Sequence, residues 1–144
     1  MARLQIFLAA LWWGSLTTVG FMVVPMLFVH LETLAIAGQM AAKLFSAQTW
    51  LALTCGILLL LAAKRENLDQ AHTPSPWVVA GMLLALLIEL AVKPHIMVRD
   101  NMALWHNLGS AFYVLQWLCA GKVLWARCSV SLKPAVAAGP AQND

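Results

Sequence analysis

The uncharged apolar run from Leu4 to Val29 constrains this chain more than any other feature of its sequence. It is longer than the stretch of about 20 residues that a helix needs to cross the hydrocarbon core of a bilayer. A cleaved signal peptide would have a shorter apolar core followed by a polar chain, so we expect this helix to remain in the protein. The run therefore predicts a membrane-spanning first helix.

Three more apolar stretches follow, and polar residues separate them. Lys64 and Arg65 close the second stretch, and Pro74 and Pro76 suit the start of the third helix. The pattern predicts an all-α integral membrane four-helix bundle with up-down-up-down topology. The predicted spans are residues 4–29, 44–63, 77–97 and 104–125, within one transmembrane domain of residues 1–127, and residues 128–144 form a mobile cytoplasmic tail.

The composition supports a lipid bilayer as the environment of this chain. Hydrophobic residues make up 62% and charged residues only 10%, against about 25% charged residues in ordinary soluble domains. The net charge of +3 is small and scattered, so we expect no nucleic-acid partner. Cys55, Cys119 and Cys128 have no paired spacing, which predicts neither a disulfide nor a zinc site. No catalytic motif is present, so we expect a protein that is not an enzyme.

The basic residues predict an orientation, because Lys and Arg beside membrane spans are retained on the cytoplasmic side. Six of them fall at one face of the bundle and three at the other. This asymmetry predicts a multi-pass protein of the bacterial inner membrane with both termini in the cytoplasm. The six are Arg3, Lys64, Arg65, Lys122, Arg127 and Lys133, and the three are Lys43, Lys93 and Arg99.

The first helix carries three further signals. Pro25 lacks a backbone donor, so we expect a kink or an early helix end there. Trp12 and Trp13 lie too deep for an interfacial belt, and at least one ring should pack inside the bundle. Small residues at i+4 spacing form a strip on which another helix can pack, either within the bundle or in a partner; they are Ala10, Gly14 and Thr18.

Glu89 is the most costly residue to place in a membrane span, at about 2.5 kcal/mol or more on insertion scales. Lys93 follows one turn later, in the favourable order for a Glu–Lys pair. The pattern is typical of a local ion pair or of a protonated Glu89 bonded to a neighbouring helix. A proton-binding or cation-binding role is the alternative, and in each case we expect Glu89 to face the bundle interior.

Histidines and methionines gather at the predicted outer end of the helices. Imidazole and thioether together form a ligand set suited to Cu(I). Two of the histidines on facing sides of one cavity would instead suit haem. Both residue types are also ordinary packing and interface residues. The candidate metal ligands are Met22, Met26, His30, His95, Met97, Met102 and His106.

Polar residues also share one face of the fourth helix, where they predict a seam that descends from the outer end toward the bundle centre. Such side chains bond across helices in membrane bundles, which is the default role. A ligand-lined cavity is the alternative. The seam consists of His106, Ser110, Tyr113 and Trp117, with Asn107 and Gln116 beside it.

The chain resembles the small four-helix membrane proteins of the transmembrane protein 205-like family, over most of residues 8 to 125. That family's molecular activity is not established. The resemblance implies a link to soft metals, through a eukaryotic relative associated with platinum-drug resistance and a layout similar to copper-resistance D proteins. The similar positions are Trp13-Gly14, Gly20 to Phe28 with Pro25-Met26-Leu27-Phe28 at its end, Ala37-Gly38, Leu44-Phe45, Pro94 with Ile96, Arg99-Asp100, and His106 with Ser110.

The leading hypothesis from the sequence is a membrane protein that handles a small ligand or soft metal cation in an outward-facing cavity lined by His and Met. A first alternative is a non-catalytic helical module that assembles as a homo-oligomer or with a membrane partner. A second alternative is a haem-binding redox protein. Cu(I) and haem are the cofactors that these hypotheses imply.

The predicted orientation can be tested with reporter fusions placed after Leu68 and after Arg127. Both should report a cytoplasmic location, because the basic residues that flank those points are retained inside. A periplasmic signal from either fusion would contradict the topology.

Overall fold

A computed structural model describes residues 2–65, 75–98 and 101–137, and within these ranges the chain folds into four helices with no strand. The predicted all-α fold is confirmed. Helix 1 comprises α-helical Ala2–Thr18, a π-helical turn Val19–Val23 and α-helical Val24–His30. Helix 2 is Leu34–Arg65. Helix 3 comprises α-helical Ser75–Leu87, a π-helical turn Ile88–Val92 and α-helical Lys93–Met97, and helix 4 is Met102–Ala137.

Three of the four helices are long and apolar enough to cross a membrane: Arg3–His30, Leu34–Arg65 and Pro76–Met97. These apolar helices indicate a lipid bilayer environment. Helix 4 has 36 residues, which at about 1.5 Å per residue is ample length for a crossing. Its polar residues, among them Gln116 and Lys122, lower its hydropathy, and a span at 104–125 remains a prediction.

Helix 4 also extends further than the sequence suggests. Residues 128–137 belong to the helix, beyond the predicted end of the fourth span at residue 125, and the helix includes Pro134. The mobility of the segment from residue 128 onward stays a prediction. The rest of the predicted tail, residues 138–144, lies outside the described residues.

Each π-helical turn lies directly before a proline. In helix 1 the N–H of Val24 bonds to the carbonyl of Val19, and Pro25 follows. In helix 3 the N–H of Lys93 bonds in the same way to a carbonyl five residues earlier, and Pro94 follows. A proline ring clashes with the carbonyl four residues before it, and the wider π turn relieves that clash. Of the kink or early helix end expected at Pro25, the early end is wrong, because helix 1 continues to His30; the π-helical turn is the local distortion of the helix there.

Helices adjacent in sequence pack side by side, and helix 4 closes the bundle against helix 1. Helices 1 and 4 run antiparallel, because Tyr113 packs against Gly20 near the end of helix 1 while Trp13, nearer its start, packs against Gly121 further along helix 4. The indole of Trp12 has no exposed surface. The prediction that at least one of the tryptophan rings packs inside the bundle is confirmed.

Gly81 is the position on helix 3 that allows this indole to pack so closely. A Cβ atom there would lie 2.7 Å from Cη2 of Trp12 and 3.5 Å from the Cβ of Cys119. The Trp12 ring is enclosed on all sides and cannot move aside. The absence of a side chain at position 81 thus lets helices 1, 3 and 4 meet around one indole.

We expect Gly81→Ala to lower the free energy of unfolding by about 1–3 kcal/mol, because the added methyl group overpacks the core. Unfolding of the detergent-solubilised protein measures this. Gly38→Ala is the matched control, since no atom lies within 4 Å of a Cβ at that helical position, and it should stabilise the helix by about 0.5–1 kcal/mol. Equal effects of the two substitutions would contradict the packing described here.

A polar groove between helices 2 and 3

A three-residue polar network joins helices 2 and 3. Lys93 Nζ lies 2.6 Å from Glu89 Oε1 and 2.5 Å from Ser46 Oγ. The Ser46 hydroxyl lies 3.0 Å from both carboxylate oxygens of Glu89 and 3.0 Å from the carbonyl of Ala42. The hydroxyl accepts from the ammonium group and has one proton to donate, which the carboxylate and the carbonyl can share. Glu89 thus has a partner on its own helix and another on helix 2.

The π-helical turn before Pro94 determines where this carboxylate lies. Glu89 is the second residue of the turn Ile88–Val92, and its side chain is 20% exposed. Lys93 begins the next α-helical segment, one turn later on the same face, and its side chain is 34% exposed. Of the expected alternatives, a local ion pair or a protonated Glu89 bonded to a neighbouring helix, the structure has the ion pair with Lys93 and also a hydrogen bond from Ser46 of helix 2.

A groove of about 340 Å³ runs beside this network between helices 2 and 3. It is open along one side, and most of its wall is apolar. Its polar groups are an amide, a hydroxyl and two ammonium groups; the hydroxyl proton is already used by Glu89 and Ala42, so the amide and the ammonium groups are the donors for a ligand. The lining residues are Gln39, Ala42, Lys43, Ser46, Lys93 and Met97.

The groove has an excess of positive charge. Glu89 neutralises Lys93, whereas Lys43 forms no ion pair within the described part of the chain and is exposed. Both lysines line the groove, Lys43 from helix 2 and Lys93 from helix 3. This arrangement can hold a group with negative charge and acceptor oxygens.

The two lysines also lie at the edge of the apolar part of the bundle. Lys43 immediately precedes the uncharged stretch 44–63, which Lys64 closes at its other end. Lys93 lies just beyond the apolar part of helix 3. A stretch of 20 helical residues spans about 30 Å, the thickness of the hydrocarbon core. In helices that cross a bilayer, this end of the apolar stretches corresponds to the depth at which lipid headgroups meet the acyl chains.

Most of the predicted histidine and methionine ligands are exposed. His30 and His106 are exposed, and His95 stacks on Trp105 at 3.9 Å while its Nδ1 lies 2.7 Å from the carbonyl of Ala91. The Nδ1 of His30 lies 3.0 Å from the carbonyl of Met26 on its own helix. Met22, Met26 and Met97 are each more than half exposed, and the side chain of Met102 lies outside the described residues.

Of this predicted set, Met97 alone lines the groove. The described His, Cys, Asp and Glu residues form no group of three or more that could hold a metal ion. Lipid-facing methionines at the end of a span have no polar partner to hold them inward, which accounts for their outward position.

The seam on helix 4 divides at Tyr113. His106 and Ser110 are exposed, whereas Tyr113 and Gln116 are buried. Tyr113 Oη donates to the carbonyl of Leu16 at 2.8 Å, a contact across helices of the kind expected as the default role of the seam. The buried part of the seam has the packing role that such side chains ordinarily have.

The strip of small residues on helix 1 faces away from the other helices. Ala10 and Thr18 are exposed, and no atom lies within 4 Å of a Cβ built at Gly14. The hydroxyl of Thr18 bonds back to the carbonyl of Gly14. No other helix of this chain packs on the strip in the described residues.

Sequence reasoning did not identify Gln39, Lys43 and Ser46 as partners of the Glu89 region. Their spacing of four and then three residues places them on one face of a helix. This spacing can be read from the sequence, but it does not reveal which neighbouring helix that face contacts. Only the fold brings Ser46 to Glu89.

The fold and the groove define a helical protein of membrane type with a polar site at the edge of its apolar helices. The chain belongs to the family described as a domain of unknown function, DUF4149, whose model matches residues 7–103. That match includes every residue of the groove and of the Glu89 network. No curated protein and no solved structure matches the chain. The narrower resemblance, to the transmembrane protein 205-like family, stays a prediction.

We expect Glu89→Leu to destabilise the protein more than Glu89→Gln, because the amide can still accept hydrogen bonds from Ser46 and Lys93. Hydrogen bonds to charged groups contribute about 1.5–3 kcal/mol each, and the partial exposure of this pair places the expected difference near 1 kcal/mol. Thermal unfolding in detergent measures it. At the exposed Glu32 the same two substitutions should have equal effects. If the Leu and Gln substitutions also had equal effects at Glu89, its carboxylate would extend to solvent and would not bond to Ser46 and Lys93.

Proposed function

We propose that this protein binds the anionic headgroup of a membrane lipid in the groove between helices 2 and 3. It is a binding role and involves no catalysis. The observation that carries the proposal is that two lysines, Lys43 of helix 2 and Lys93 of helix 3, line one groove beside a single carboxylate.

The chemistry of the wall favours an oxyanion over a metal cation. Any cation that approaches Glu89 must displace the ammonium group of Lys93, which lies 2.6 Å away. An anion instead meets Lys43 and the amide of Gln39 without displacing anything. Phosphate oxygens accept from lysine and amide donors, and basic pockets between membrane helices recognise anionic headgroups in this way.

The position and opening of the groove favour a lipid over a soluble anion. The wall is mainly apolar apart from its donors, and exposed apolar residues of both helices continue from it, including Met40 and Leu90. Acyl chains can lie along that surface while the phosphate meets Lys43. With the predicted orientation the groove opens to the outer leaflet of a bacterial inner membrane.

Lipid binding can be tested by native mass spectrometry of the protein released from nanodiscs that contain phosphatidylglycerol or phosphatidylcholine. We expect preferential retention of phosphatidylglycerol. Lys43→Gln should weaken that preference about fivefold, because a lysine near a headgroup contributes about 1 kcal/mol.

Lys64→Gln is the matched control, because Lys64 is also an exposed lysine on helix 2 and lies at the opposite edge of the apolar stretch. It should leave retention unchanged. Equal retention of the two lipids, or equal loss in both variants, would contradict the proposal. The proposal would also be overturned if the delipidated protein bound inorganic phosphate and the protein did not discriminate between the two lipids. The ligand would then be a soluble anion.

Assembly with a membrane partner is a second candidate function, favoured by the outward strip of Ala10, Gly14 and Thr18. Small residues let helix backbones approach closely in lipid, and no helix of the described chain uses this face. If the strip forms such a contact, Gly14→Leu should convert an oligomer to a monomer in mild detergent. A wild-type monomer under the same conditions would eliminate this candidate.

A further inference from the structure

Glu89 lies one contact behind the groove between helices 2 and 3. Its carboxylate bonds to Lys93 and to Ser46, and both of those residues line the groove. An anion that enters the groove therefore meets a negative charge at short range. That charge opposes anion binding, so it bears on which anions the groove accepts.

Two helices hold this carboxylate in place. Lys93, one turn later on helix 3, lies 2.6 Å from its Oε1, and the Ser46 hydroxyl of helix 2 lies 3.0 Å from both of its oxygens. The π-helical turn Ile88–Val92 carries the residue, and its side chain is mostly buried. An incoming anion cannot displace the carboxylate into solvent without breaking both contacts.

The ammonium group of Lys93 brings a bound anion close to this carboxylate. It has three N–H donors, of which one bonds to Glu89 and one to Ser46, so one remains for a ligand in the groove. Nζ is 2.6 Å from Glu89 Oε1, and a phosphate oxygen bonded to Nζ at about 2.8 Å would thus lie at most about 5.5 Å from that carboxylate oxygen. Negative charges repel at this separation, and more so where the site is partly shielded from water.

The charges at the groove leave one net positive charge. Lys43 of helix 2 and Lys93 of helix 3 supply two, and Glu89 cancels one. No other charged residue lines the groove within the described part of the chain. A phosphodiester headgroup carries one negative charge and neutralises the groove. A phosphomonoester carries nearly two at neutral pH and places an unbalanced negative charge beside Glu89.

We propose that Glu89 is a specificity-determining residue that restricts the groove to lipids with a singly charged phosphodiester headgroup. The inference rests on the proposed lipid-binding function and names the class of lipid. Phosphatidylglycerol meets the condition, whereas phosphatidic acid, a phosphomonoester, does not. Glu89 acts by its charge, and Lys93 and Ser46 hold that charge next to the phosphate.

The test is native mass spectrometry of the protein released from nanodiscs that contain equal amounts of phosphatidylglycerol and phosphatidic acid in phosphatidylcholine. The release is done at about pH 8, where a phosphomonoester has lost its second proton. Wild-type protein should retain more phosphatidylglycerol than phosphatidic acid. Glu89→Gln keeps an acceptor oxygen for Ser46 and Lys93 but removes the charge. It should raise the ratio of retained phosphatidic acid to phosphatidylglycerol about fivefold, the factor that one charge near a headgroup contributes.

Glu32→Gln is the matched control, because it removes an exposed carboxylate that does not line the groove. It should leave the ratio unchanged. A purely structural effect of Glu89→Gln would change the retention of both anionic lipids together and would not move their ratio.

Preferential retention of phosphatidic acid by the wild-type protein, or an unchanged ratio in Glu89→Gln, would overturn the inference and leave the lipid-binding function standing. Retention of neither anionic lipid in excess of phosphatidylcholine would overturn the proposed function and the inference with it. The wild-type comparison needs no variant, so the test holds even if the substitution impairs folding.

Discussion

In a bilayer every backbone N–H and C=O must find a partner within the protein, and this constraint governs the structure. The apolar stretches have to be helices, and the two prolines inside them have to be accommodated without ending the hydrogen bonding. The π-helical turns Val19–Val23 and Ile88–Val92 do this, because their five-residue hydrogen bonds widen the helix just before Pro25 and Pro94. Both helices then continue to the edge of the apolar layer.

The two π-helical turns show which features follow from the backbone and which from the side chains. Each turn begins six residues before its proline, so the proline and not the polar network accounts for the turn. In helix 1 the second residue of the turn is Gly20, and in helix 3 the same place holds Glu89. The π-helical turn of helix 3 therefore carries a carboxylate, and the polar groove lies beside it. The π-helical turn of helix 1 carries a glycine at that place and serves packing alone.

The sequence predicted the helices well because apolar length and flanking charges act locally along the chain. It predicted the Glu89–Lys93 pair for the same reason, since both residues lie on one helix face. The role of Ser46 depended on which face of helix 2 meets helix 3, which periodicity cannot determine. The histidine and methionine group was inferred from a shared level along the helices, and it stays a prediction; His30 is exposed, and its Nδ1 lies 3.0 Å from a carbonyl of its own helix.

The central claim is that Lys43 and Lys93 hold a lipid phosphate at the edge of the apolar layer. Solid-state NMR dipolar recoupling between lysine Nζ and lipid phosphorus measures this contact directly in bilayers with anionic lipid. The account predicts strong phosphorus dephasing of the Lys43 and Lys93 ammonium signals and weak dephasing at Lys64. Equal dephasing of all three signals would contradict it. That result would mean that each lysine contacts headgroups simply because it lies at the membrane surface, and not because the groove binds a phosphate.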